Sequence, residues 1–145
     1  MKRIFLDTNV IIDFLADRKP FSLAAARIFN YGVLGKIKLY ISAVSYNNIY
    51  YILRQSFSNT ETIKLLDELS EIAETADVTK AIIKNSLKSA LTDFEDAIQY
   101  NCALSIHKID FIVTRNTKDF KKSTLPVMNP EEALVLIESA GRSGK

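Results

Sequence analysis

Three aspartates far apart in the chain, Asp7, Asp96 and Asp119, have the residue type and placement for chemistry. Asp7 closes the apolar run Ile4-Phe5-Leu6, Asp96 lies in the first turn of a helical stretch opening near Asp93, and Asp119 soon follows a second strand-like run, Asp110 to Thr114. Carboxylates gathered without an equal number of bases repel one another, and the usual remedies are protonation or a divalent cation. Oxygen-only ligation with water kept in the shell suits Mg²⁺ or Mn²⁺. Each acid also has a structural role open to it. Asp7 could cap the helix that follows it. Thr92 and Glu95 fit a capping box, which makes Glu95 structural, and Asp93 and Asp96 suit the positive end of a helix dipole. Asp119, within Thr117-Lys118-Asp119, has turn composition.

The elements that must bring these acids together can be read from periodicity. Short apolar runs at Arg3 to Leu6, Lys38 to Ser42, Ala76 to Val78, Asp110 to Thr114 and Pro126 to Met128 predict strands. A helix should start at Asp7, and helical spacing predicts others over Ser22 to Leu34, Val44 to Gln55, Thr60 to Glu74, Thr79 to Leu91, Phe94 to His107 and Pro130 to Ser139. Alternation of the two predicts a parallel sheet covered by helices, with every strand's carboxyl end on one edge. That edge is where such sheets bind ligands. Gly141 marks the expected end of the last helix, giving one domain over residues 1–140 and a flexible tail, 141–145.

The 145 residues are 48% hydrophobic and 25% charged, the composition of an ordinary globule large enough to fold without staples or a structural metal. The single cysteine, Cys102, cannot form an internal disulfide, which fits a reducing cytoplasm. Asp7 and Asp13 interrupt the first apolar stretch, so a signal peptide is not expected, and no uninterrupted 18-residue apolar run exists to span a membrane. A net charge of +2 leans only weakly towards a polyanionic partner.

Four segments, "FLDTNVIIDFL", "SAVSYNNIYYIL", "DFEDAIQYNCAL" and "IVTRNTKDF", together resemble a PIN domain, the nuclease fold that includes the VapC-like toxins of toxin-antitoxin pairs. The resemblance implies a three-layer α/β/α fold around a mostly parallel sheet of 4–5 strands. It also implies hydrolysis of RNA phosphodiester bonds, leaving 5'-phosphate and 3'-hydroxyl ends. Asp7, Asp96 and Asp119 match the family's acidic, metal-binding positions, with Mg²⁺ or Mn²⁺ as cofactor. Thr8, Asn9, Thr114 and Asn116 match supporting polar residues, and Asp93 is an extra acid. Where the family usually has a glutamate after an S-x-x-T-x-x-E pattern, Ser42 and Ser45 are followed by Asn48. An asparagine can orient a water but brings no charge and cannot act as a base.

Arg115 and Lys118, with Lys121 and Lys122 beyond, flank Asp119 and suit phosphate contacts, against the usual fate of a solvated loop. Tyr46, Tyr50 and Tyr51 read as packing residues. The implied partners are RNA, an antitoxin protein and a second copy of the chain. Two alternatives stand beside the nuclease: a PIN-like module that binds RNA or an antitoxin with little cutting, and an aspartate-based phosphohydrolase. The latter usually has a second acid two positions after the first, where this chain has Asn9. His107 is the only histidine, so a serine or cysteine triad would depend on it entirely.

Overall fold

The computed structural model describes residues 1–89 and 93–143, the last three by their backbone alone. In chain order the elements are β1 (Lys2–Leu6), α1 (Thr8–Leu15), α2 (Ser22–Val33), β2 (Ile37–Ser42), α3 (Ala43–Leu53), α4 (Asn59–Ile72) and β3 (Glu74–Ala76). There follow α5 (Lys80–Leu87), α6 (Phe94–Ser105), β4 (Phe111–Val113), a 3₁₀ turn over Thr117–Phe120, β5 (Val127–Met128) and α7 (Pro130–Ser143).

All strand pairs are parallel, in the order β3-β2-β1-β4-β5. The chain moves outward from β1 to β2 and β3, then returns to the other side of β1 for β4 and β5. The reversal therefore falls between β1 and β4, whose registered ends are Leu6 and Val113. In open parallel sheets the ligand crevice lies outside the carboxyl ends at such a reversal.

Side chains alternate across a strand, so a central strand buried on both faces must be apolar at every step. Ile4 and Leu6 enter the larger core with Leu39, Ile41, Phe111 and Val113, packed by α1, α2, α3, α4 and α7. Phe5, Tyr40 and Ile112 face the other way, onto Cys102 and Ala103 of α6. Each fully buried side chain of this size contributes about 1.5–3 kcal/mol. The result is the expected α/β/α sandwich with a five-stranded sheet.

Differences from the expected elements are local and have physical causes. β3 lies two residues earlier than Ala76 to Val78, because its register is set by pairing Tyr40 with Glu74 and Ser42 with Ala76. As an edge strand it needs no apolar run, and Val78 packs against the smaller core from the loop beyond. Helix α4 starts one residue early behind a complete Ser58–Glu61 capping box. Helix α2 stops at Val33 because Lys36 N donates to Tyr31 O and Gly35 N to Gly32 O, with Gly35 at φ 75°. Helix α5 ends at Leu87, and residues 90–91 of its expected span lie outside the described residues. At the other end, α7 continues through Gly141 to Ser143, past the expected stop. One helical glycine costs only about 1 kcal/mol and need not end a helix.

Candidate active site

Asp7 is the N-cap of α1 and is 6% exposed. Its Oδ1 accepts from Thr8 N at 2.8 Å and its Oδ2 from the hydroxyl of Thr114 at 2.8 Å. Capping and site membership are thus compatible, since both oxygens are fixed while the carboxylate stays at the β1–β4 reversal. Asn9 ties the two strand ends together: its amide approaches Asp7 Oδ2 and Thr114 Oγ1, each at 3.4 Å, and its carbonyl accepts from Arg115 N at 3.3 Å. Thr114, fully buried, also accepts from Asn116 N, which helps turn the chain toward Asp119.

Asp96 sits in the first turn of α6, and its backbone N–H is capped by Asp93 Oδ1 at 3.0 Å. The cap is therefore Asp93, and Thr92 lies outside the described residues. Asp119 is exposed, within the 3₁₀ turn after β4. Partial burial first, and then the charges of Asp7, Asp93, Asp119 and Glu95, push the Asp96 carboxyl up to about 7. Burial also raises Asp7, opposed by its bonds from Thr114 and Thr8 and reinforced by Glu95 and Asp119. Every charge acting on these two groups is a carboxylate, so the cluster favours a proton or a cation.

Beneath Asp7 lies a buried polar knot. The hydroxyls of Thr8 and Ser45 are 2.9 Å apart, and the Gln99 amide donates to both at 3.1 and 2.9 Å. It joins α1, α3 and α6, the helices bearing Thr8, Asn48 and Asp96. Thr8 thus braces α1 through its hydroxyl and Asp7 through its backbone. Gln99 was not among the expected site residues, since a single glutamine inside an apolar helix has no motif to single it out. Its Oε1 has no partner among the described residues.

Asn48 is half-buried on α3, and its amide donates to Glu95 Oε2 at 2.6 Å. Glu95, in the first turn of α6, is thereby tied to α3. Arg115, expected to contact phosphate, makes an ion pair with Asp13. Its Nε and Nη2 fork onto Asp13, at 2.6 and 3.2 Å, and its guanidinium lies 4.0 Å over the Phe21 ring. Asp13 is only 1% exposed and is held on its other side by Arg18. A buried carboxylate is thus shared by two partly exposed arginines. Lys118, Lys121 and Lys122 remain exposed around Asp119.

The donors at this edge are all oxygen, the set that hard cations such as Mg²⁺ and Mn²⁺ prefer. No three acids, histidines or cysteines among the described residues stand close enough to enclose an ion. Direct ligation by one or two carboxylates with the rest reached through water is the pattern Mg²⁺ ordinarily adopts, so the residues fit. A cleft of about 950 Å³ lies at the opposite edge among Lys2, Arg27, Tyr31, Lys36 and Glu138, away from Asp7, Asp96 and Asp119.

A family model described as a PIN domain matches residues 3–118, most of the chain. The chain belongs to the PIN domain family. This PIN domain is 27% identical over 142 residues to Ribonuclease VapC1 of Aquifex aeolicus, covering 90% of this chain and 92% of that protein. Its fold matches that of the DNA-bound VapBC of Salmonella typhimurium, with a TM-score of 0.68, 16% identity and coverage of 90% and 99% of the two chains. VapBC-1 of nontypeable Haemophilus influenzae matches with a TM-score of 0.66, 23% identity and coverage of 89% and 98%. Among the described residues of this PIN domain, no helix is long and apolar enough to cross a membrane.

Proposed function

We propose that this PIN domain is a divalent-metal-dependent endoribonuclease acting as the cytoplasmic toxin of a toxin-antitoxin pair. The observation that carries the proposal is the convergence of Asp7 and Asp96 with the charge of Asp119 at the β1–β4 reversal, where every neighbouring charge raises the cost of ionisation. The likeness to a VapC ribonuclease supplies the substrate class. Likeness to toxin-antitoxin complexes, including one from Klebsiella pneumoniae, supports an antitoxin as partner.

Asp7 and Asp96 would hold the ion, with Asp119 binding directly or through water. When bound, Mg²⁺ or Mn²⁺ would lower the pKa of a water and offset charge growing on the scissile phosphate. Thr114 and Thr8 fix both oxygens of Asp7, so this carboxylate would meet the ion already oriented. Asp96, whose carboxyl is raised to about 7, would hold the ion as a carboxylate. Lys118 with Lys121 and Lys122 would hold flanking phosphates.

A second proposal keeps the same fold but gives it RNA or antitoxin binding with little cutting, and the observation favouring it is the neutral Asn48 on α3. Incubation of the purified protein with single-stranded and structured RNA separates the two. Cleavage in Mg²⁺ or Mn²⁺ that stops with chelator and returns on metal addition is expected. Retention of RNA with no cleavage under any of these conditions would favour the binding module.

A further inference from the structure

Asn48 and Glu95 are 47 residues apart, on different helices on opposite faces of the sheet, yet they meet at 2.6 Å over its carboxyl edge. An asparagine side chain can offer either its carbonyl or its amide, and here the amide is directed at a carboxylate. A glutamate at position 48 would bring its charge to this same neighbourhood. We infer that Glu95 supplies from α6 the carboxylate that α3 lacks, and that Asn48 is the positioning residue that holds it there. The inference deepens the proposed nuclease function and rests on it.

Three further observations agree with this exchange. Among the described residues Glu95 makes no ion pair with a lysine or arginine, so its charge is left for a cation. Its charge acts on Asp7 more strongly than that of Asp119 does, and it also acts on Asp96. With Asp93 as the N-cap of α6, the third helical position is Asp96, so Glu95 does not stand where a capping-box acid would. A favourable charge in the first turn of α6 would explain an acid at this position, but it needs no partner on α3.

Calorimetric titration of the whole chain with Mn²⁺ tests the exchange, using wild type, Glu95→Gln, Asn48→Ala and the double variant Asn48→Glu/Glu95→Gln. Glu95→Gln is expected to weaken Mn²⁺ binding by about tenfold or more, the range seen when groups supporting a metal site are removed. Asn48→Ala should weaken it less, since the charge remains but its tether is lost. The double variant should return to within about threefold of wild type, because the carboxylate is moved rather than removed. Glu95 is exposed, and circular dichroism should show all variants folded; a purely helical role would shift their melting without moving Mn²⁺ affinity. Wild-type affinity in Glu95→Gln, or no recovery in the double variant, would overturn the exchange. If Asp7→Asn loses Mn²⁺ while Glu95→Gln keeps it, only this inference fails. If the wild type binds no Mn²⁺, the proposed function fails with it.

Discussion

Asp96 keeps its proton far above the ordinary carboxylate range because it is partly buried among four other acids. The consequence for stability has a definite sign. An acid whose folded pKa is raised binds a proton in the native state that the unfolded chain has already released, so stability falls as pH rises. For Asp96 the contribution is complete below 3.8 and is lost as pH climbs through about 7, and Asp7 acts in the same direction. Melting of the metal-free protein should therefore lose a component of stability between about pH 4 and pH 7, and Asp96→Asn should flatten that slope. An unchanged slope in the variant would place the titration elsewhere. The three aspartates were legible in the sequence because each sits beside a local signal: a strand end, a helix start or a turn. The Asn48–Glu95 contact was not, because nothing local encodes a meeting between residues on two helices, and Glu95 lay in a plausible local capping pattern.

At the scale of elements, the site depends on how α1, α3 and α6 are held to the sheet edge. The Thr8–Ser45–Gln99 knot performs this; the family resemblance singled out Thr8 and Ser45, but their meeting with Gln99 was invisible because nothing local encodes contacts among three helices. Gln99→Met should cost about 1–3 kcal/mol, the price of removing a buried donor from two hydroxyls, read as a lower urea midpoint with the slope unchanged. No loss would mean that the hydroxyl pair alone holds the helices. Arg115 is the opposite case, since its position directly after a strand suggested phosphate binding while its side chain serves the buried Asp13. Arg115→Ala should destabilise the fold by about 3 kcal/mol, because Asp13 keeps only Arg18. Equal stability, with RNA affinity lost instead, would restore the phosphate role. The element boundaries that sequence placed badly, β3 and the end of α7, are those decided by pairing register and helix continuation rather than by local composition.

For the whole molecule, strand order is what converts distant acids into neighbours. Alternating strand and helix signals were sufficient to expect a parallel sheet, but not the order β3-β2-β1-β4-β5 that puts Asp7 beside Thr114. The net charge of +2 hides a division between an acidic centre and lysines around Asp119. Lys118→Ala should weaken single-stranded RNA binding and reduce its salt dependence by about 0.7 in the log-log slope, the value for one lost phosphate contact. An unaltered slope would leave Lys118 as a solvated side chain. The account as a whole rests on Asp7, the carboxylate that the central strand delivers to the sheet reversal. Its most direct test is the rate of RNA cleavage in Mn²⁺ by wild type and by Asp7→Asn, with folding of both verified by circular dichroism. On the proposed role of Asp7 in holding the ion, the substitution should lower the rate by roughly 100-fold or more, about 2.7 kcal/mol of transition-state stabilisation. Cleavage by folded Asp7→Asn at the wild-type rate would contradict the account.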